Sequence, residues 1–232
     1  MDRRDELVAN LADVRARIAA AEAAAARPTG SVQLVVVTKT WPASDVALLA
    51  GLGITDVAEN RDQEARPKHD ECVGLGLRWH FVGQLQRNKA RSVTAYADVV
   101  ESVDRPELVE ALDRGAEAAG RLIEVLLQVD LAEPPQPHRG GVIPVSVRAL
   151  ADAVAGAASL RLAGLMAVAP LGEEPAPAFA RLARVAADLR ADHPEAVVLS
   201  AGMSGDLEEA VLAGATHVRV GTAVLGGRAV LG

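Results

Sequence analysis

Aromatic side chains are scarce in this sequence: one tyrosine, two phenylalanines and two tryptophans among 232 residues, 2% in all. Single-stranded nucleic acid is held by stacking bases on several exposed rings, so that mode of binding is excluded. A formal net charge of −7 argues against duplex DNA, whose phosphates demand a basic surface. Cys72 is the one cysteine, which removes any internal disulfide, and the five histidines lie too far apart for zinc-ligand spacing. No metal site is expected. No apolar run approaches the roughly 20 residues of a membrane-spanning helix. The start, Met1-Asp2-Arg3-Arg4-Asp5-Glu6, is too polar for a secretory signal, and a cytoplasmic protein is expected.

Lysine is the remaining scarcity. The 24 basic residues are 21 arginines and three lysines. Lys68, in Arg66-Pro67-Lys68-His69-Asp70, and Lys89, in Gln86-Arg87-Asn88-Lys89, have polar neighbours and read as solvated surface. Lys39 differs, because it follows the apolar run 32–37.

Half of the residues are hydrophobic and 24% are charged, which excludes intrinsic disorder and suits one globular domain spanning 1–232. Leu7, Leu11, Val14 and Ile18 recur at helical spacing, predicting a first helix over 5–27 that Pro28 and Gly30 end. Short apolar, β-branched runs follow at 32–37, 54–57, 78–82, 98–100, 123–129, 160–166, 196–199 and 216–220. Continuous apolar runs mark strands covered on both faces, as in parallel sheets. Helical patterns intervene, among them 106–119, 146–158, 177–189 and 207–213. Eight β/α repeats in this length predict an α/β fold, a single (β/α)8 TIM-type barrel with an extra N-terminal helix. An open doubly wound sheet satisfies the same alternation. The proline-stiffened stretch 131–141 reads as a loop after strand five, on the functional face of such a barrel.

Barrel active sites lie at the carboxyl ends of the strands. Lys39 closes the first strand, where partial burial would keep its amine neutral enough to attack an aldehyde; a strand-end lysine snorkelling to solvent is the alternative. After strand seven comes Ser200-Ala201-Gly202-Met203-Ser204-Gly205-Asp206, and after strand eight Gly221-Thr222-Ala223-Val224-Leu225-Gly226-Gly227. Small-residue turns in these two positions present N–H groups and hydroxyls to a phosphate, or else are ordinary helix caps. An inward Arg219 needs an acceptor: a pyridine nitrogen, a carboxylate or a structural ion pair. An imine-forming lysine facing a phosphate cradle describes a site for a phosphorylated aldehyde. Pyridoxal 5′-phosphate (PLP) fits, as does a sugar phosphate in a cofactor-free lysine aldolase.

Six blocks carry a resemblance over essentially the whole chain: Val37-Thr38-Lys39-Thr40, Glu59-Asn60-Arg61-Asp62-Gln63-Glu64, Trp79-His80-Phe81-Val82-Gly83-Gln84-Leu85-Gln86-Arg87-Asn88-Lys89, Gly164-Leu165-Met166, the segment from Leu199 to Asp206, and Val218-Arg219-Val220-Gly221-Thr222. In order and spacing they resemble the pyridoxal phosphate homeostasis protein family. The resemblance implies the barrel of the alanine racemase N-terminal domain, a PLP imine on Lys39, and buffering or delivery of PLP in place of catalytic turnover. It implies that Ser200, Gly221 and Thr222 hold the phosphate, that Arg219 faces the pyridine nitrogen and that Asn60 lies near the ring. His80 matches a family histidine, either a ligand contact or a hydrogen-bonded core residue. The chain departs from the family at Ala201, usually methionine, at Leu225, usually aromatic, and at Arg139, which keeps a basic charge but cannot form an imine.

An arginine opposite the ring nitrogen gives weak support to carbanion chemistry, since its guanidinium only donates. Related racemases add a tyrosine from a second domain; the one tyrosine here, Tyr96, precedes strand four at the other end of the barrel. The expectation is a monomeric carrier with no catalytic residues, whose partners are PLP and apo PLP-dependent enzymes, with no nucleic acid and no membrane. A PLP-dependent racemase or lyase of low activity is the alternative.

Overall fold

The computed structural model describes residues 2–134 and 139–227. The elements run α1 (Arg3–Ala24), β1 (Gln33–Val37), α2 (Ala43–Gly51), β2 (Asp56–Glu59), α3 (Asp62–Glu71), β3 (Arg78–Phe81), α4 (Ala90–Val93), β4 (Val99–Val103) and α5 (Pro106–Ala119), then β5 (Ile123–Val129), α6 (Val147–Ala155), β6 (Leu160–Ala167), α7 (Pro175–Asp192), β7 (Val198–Ser200), α8 (Leu207–Leu212), β8 (His217–Val220) and α9 (Thr222–Leu225). All eight strands pair in parallel in chain order. β8 returns to β1 with Gln33 opposite His217 and Val36 opposite Val220, so the sheet closes and the open alternative is excluded.

Side chains alternate across the barrel wall. Leu34, Val36, Val57, Trp79, Val218 and Val220 point outward and pack under the helices with Leu7, Leu11, Val14 and Ile18 of α1. A second outer cluster, running from Phe81 and Val100 to Leu165 and Leu199, is covered by α5, α6 and α7. Burying each of these aliphatic side chains is worth roughly 1.5–3 kcal/mol, so the wall between barrel and helices is where the fold gains its stability. The Asp2 carboxylate starts α1 by accepting from the Asp5 N–H at 2.8 Å.

Several expected boundaries shift. The second strand lies at Asp56–Glu59, not 54–57, and the fourth runs on to Val103 through Glu101 and Ser102. Charged residues end an apolar run in the sequence but do not end a strand whose charges find partners. The helices α2, α4 and α9 are too short to show a period, and α3 carries too few apolar residues, burying Ala65 beside Asp62 and Lys68 and containing Pro67. Residues 135–138 of the loop after β5 lie outside the described residues.

Candidate functional site

Inside the barrel, where side chains of such folds are mostly branched hydrocarbon, runs a chain of polar groups. Asp56 Oδ1 lies 3.0 Å from His80 Nε2, and His80 Nδ1 lies 2.7 Å from Glu101 Oε1. The Ser200 hydroxyl donates to Glu101 Oε2 at 2.7 Å and accepts from Arg219 Nη1 at 2.6 Å. Arg219 Nη2 donates to the Ala167 carbonyl at 2.8 Å. Every member is buried, and a small apolar cluster of Val99, Leu126, Ala163 and Met166 packs beside them. Two carboxylates, an imidazolium and a guanidinium sum to zero charge, which is what a low-dielectric interior requires.

The site-directed shifts follow from this pairing. Burial alone would lower the His80 pKa, but the hydrogen bonds its ring donates to Asp56 and Glu101 raise it to about 9. Burial would likewise lift the Glu101 carboxyl, yet His80, Arg219 and Ser200 hold it down at about 2. His217, on the same inner face, is shifted below the usual histidine range, first by burial. The register of β4 is interrupted between Val100 and Val103. This bulge places Glu101 inside while Val100 and Val103 both join the outer cluster. Both ring nitrogens of buried His80 are thus paired with carboxylates, the arrangement of a hydrogen-bonded core histidine.

At the mouth, β1 ends at Val37 and the chain turns through Lys39 and Thr40. Lys39 is exposed, which corrects the expectation that the strand would partly bury it: the turn carries it clear of the barrel wall. The turn is strained, since Thr40 adopts φ 69°, a rare state for a β-branched residue. Three contacts hold it there. The Trp41 N–H donates to the Thr38 carbonyl at 3.1 Å, Thr40 Oγ1 to the Lys39 carbonyl at 2.5 Å, and Lys68 Nζ to the Thr38 carbonyl at 2.8 Å.

Lys68 is therefore not the solvated surface lysine its neighbours imply. It is 7% exposed and bonded to Glu59 Oε1 at 2.5 Å, and Glu59 also accepts from Thr38 Oγ1 at 2.7 Å. Both Glu59 and Lys68 lie between the outer face of β2 and α3, so the lysine supports the Lys39 turn from beneath. Lys89 is half-buried, 3.9 Å from Asp62.

Gly221 lies against the end of β1: a Cβ there would come within 3.2 Å of the Val37 carbonyl. Thr222, next in the chain, is exposed, and Asn60 is half-buried at the end of β2, where a Cβ on Gly83 would fall 2.1 Å from its carbonyl oxygen. The structure thus brings Lys39, Gly221 and Thr222 to one side of the mouth. Ser200 is set deeper, its single proton given to Glu101. Ser204 and Gly205 have N–H groups with no acceptor among the described residues, and Ser204 Oγ accepts from the Ala223 N–H at 3.3 Å, tying the two turns together. Arg139 folds onto the rim, with Nε 3.1 Å from Asp130 and Nη2 bonded to the Val168 carbonyl.

Glu101 and Asp56 escape the sequence reading, although a signal exists: a lone acid inside Val99-Val100-Glu101-Ser102-Val103 must be paired if that run is a strand. Among the described residues no cluster of histidine, cysteine or acidic side chains is placed to hold a metal, and no helix is long and apolar enough to cross a membrane.

A closed parallel barrel with a lysine at the mouth of β1 and small-residue turns after β7 and β8 defines a class, and residues 9–229 match the family described as alanine racemase, N-terminal domain. Within that class the similarity is closer to one group. A pyridoxal phosphate homeostasis protein of Mycobacterium tuberculosis is 44% identical over 246 residues, covering 98% of this chain and 95% of that protein. One from Escherichia coli is 37% identical, covering 97% of both. The structure of PipY from Synechococcus elongatus, with PLP bound, superposes with a TM-score of 0.79 at 38% identity, covering 90% of this chain and all of that one. The chain belongs to the pyridoxal phosphate homeostasis protein family.

Proposed function

We propose that this protein binds PLP as an imine on Lys39 and buffers or delivers it, acting as a single-domain cytoplasmic monomer and not as an enzyme. The observation that carries the reading is the exposed Lys39 beside the Gly221–Thr222 turn at one barrel mouth. When bound, PLP supplies an aldehyde carbon for that amine and a phosphate as anchor.

The residues present fit such a ligand. The Thr222 N–H opens α9 and has no intrahelical acceptor, and the free N–H groups of Ser204 and Gly205 lie in the neighbouring turn. These groups and the Thr222 hydroxyl suit phosphate oxygens. Ser200, whose proton is committed to Glu101, contributes by holding Arg219. Arg219 has two nitrogens bonded to protein, and its Nε has no acceptor among the described residues, which suits a donor toward a ring nitrogen. Asn60 borders the ring. His80 acts at one remove, through Glu101.

Release over turnover is supported by the same geometry. A guanidinium donates hydrogen bonds and cannot accept one, so it favours an unprotonated acceptor nitrogen opposite it, and the ring is then a poor electron sink. Tyr96 is buried in the outer cluster between the barrel wall and the helices, with Asp62 and Glu59 near its hydroxyl, and so does not face the inner side of the barrel as an opposing acid or base. The exposed Lys39 leaves its linkage open to an incoming amine, such as the lysine of an apo-enzyme, which exchanges with it and carries the cofactor away.

Titrating the protein with PLP and recording the visible spectrum before and after borohydride tests the reading. A yellow band that borohydride bleaches, with the label fixed on Lys39 by peptide mapping, is expected. Lys39→Ala should abolish the band without altering the far-ultraviolet circular dichroism, and an unchanged band in that variant overturns the assignment.

A further inference from the structure

The outer helix α1 carries a second stripe beside its apolar one. Arg3, Asn10 and Arg17 stand seven residues apart and so share one edge of the helix. Each donates to a backbone carbonyl of the turns after β7 and β8. Arg17 Nη1 reaches the Ser204 carbonyl at 3.0 Å, Asn10 Nδ2 the Val224 carbonyl at 2.9 Å, and Arg3 Nη2 the Leu225 carbonyl at 3.1 Å. Carbonyls in the last turn of a helix have no intrahelical donor, and α9 is only four residues long, so Val224 and Leu225 depend on these side chains.

Two of the three are themselves fixed. Arg17 grips Glu208 of α8 through Nε and Nη2 at 2.6 and 2.7 Å. Arg3 bonds Asp45 of α2 at 2.8 and 3.3 Å, and its guanidinium lies 4.5 Å from the centre of the Trp41 ring, two residues past Lys39. Through Arg3 the Lys39 turn and the end of α9 are therefore joined by one side chain. The Ser204 hydroxyl, by accepting from Ala223, joins the other two turns.

We propose that Arg3, Asn10 and Arg17 are positioning residues through which α1 sets the phosphate turns at a fixed distance from the Lys39 amine, so that the protein selects phosphorylated over unphosphorylated pyridoxal. This rests on the PLP reading above. A ligand tethered at both ends is sensitive to that distance, whereas one tethered only through its aldehyde is not. A stripe that served stability alone would weaken every ligand alike or none.

The test compares PLP, pyridoxal and inorganic phosphate on the full chain carrying Asn10→Ala with Arg17→Ala, on Arg17→Ala alone in case the pair does not fold, and on Arg121→Ala. Arg121 is a matched control: it also bridges a carbonyl and a carboxylate, Thr94 and Asp98, but before β4. Expected is a loss of about tenfold or more in PLP affinity, a change of less than about twofold for pyridoxal, and weaker competition by phosphate, with the Arg121 variant matching wild type. Amide exchange without ligand should quicken at 203–206 and 221–226 in the Arg17 variants. Equal losses for PLP and pyridoxal, or unchanged exchange in those turns, overturn the proposal. Wild-type protein that binds PLP and pyridoxal equally overturns the phosphate reading instead, and the exchange data then decide whether α1 braces the turns.

Discussion

Raising the pH from 6.5 to 9 should cost this protein much of the stability contributed by one side chain. In the unfolded chain His80 releases its proton near pH 6.5; folded, between Asp56 and Glu101, it holds it to about 9. Over that interval the folded state carries one more proton than the unfolded state, so stability falls as pH rises. The difference is about 2.5 pH units, and at about 1.4 kcal/mol per unit the whole contribution is about 3–4 kcal/mol, most of it lost between pH 6.5 and 9. No discount for solvent screening applies, since His80 is 3% exposed. The contribution is complete below pH 6.5. On the acid side the same pairing is lost as pH falls below the ordinary glutamate range toward about 2, where Glu101 protonates. Urea unfolding at intervals from pH 5.5 to 9.5 measures the slope. Cys72→Ser is the proper background, because burial raises that thiol and its titration would add a fall of the same sign. Glu101→Gln should flatten the slope by removing one of the two carboxylates. The imidazole resonance of His80 should titrate near 9, with His217 below 6.5. A level stability from pH 6.5 to 9, or a His80 resonance titrating near 6.5, refutes the charged pairing.

Thr222→Ala should weaken PLP by roughly 1.5–3 kcal/mol, the worth of a hydrogen bond to a charged group, while leaving pyridoxal unchanged in equilibrium dialysis; equal loss for both removes Thr222 from the phosphate site. Lys68→Met should destabilise the fold by about 3–5 kcal/mol, because Glu59 would be left buried and charged without its partner. Adding Glu59→Gln should recover part of that loss in urea midpoints, and a single variant as stable as wild type would contradict the buried pair. Incubating the PLP-loaded protein with amino acids in deuterated water should give Cα deuterium no faster than free PLP, and protein-dependent exchange well above that rate would make it an enzyme.

The strand count was legible because the outward faces of β1, β5 and β8 are apolar and largely β-branched (Leu34 and Val36, Ile123 to Val129 at alternate positions, Val218 and Val220), as a wall covered by helices demands. β5 matches its expected limits in full. Closure was legible from the number of repeats. Charges inside the wall were not, since Asp56 and Glu101 look like strand ends until their partners, 24 and 21 residues from them or on the opposite strand, are brought alongside. Lys68 illustrates the same limit: its sequence neighbours are polar because they face water on α3, while one turn of helix geometry directs Lys68 itself onto β2. The mouth was legible residue by residue at Lys39, Gly221 and Thr222, where strand ends and small-residue turns coincide. What the linear pattern did not reveal was that Ser200 belongs to the layer beneath, because a hydroxyl carries no mark of which acceptor it will serve.

The placement of the three lysines has a chemical consequence. Most proteins exposed to a reactive aldehyde accumulate adducts on many surface amines, so that the intended linkage competes with a background of others. Here the solvent-facing cations are overwhelmingly arginines, whose guanidinium stays protonated and does not condense with an aldehyde under such conditions. Lys68 is locked against Glu59 and Lys89 is half-covered beside Asp62, whereas Lys39 is exposed. On the proposed reading, loading by a side-chain amine would be held close to one equivalent per chain, and the linkage would form at the barrel mouth, where another amine could reach it.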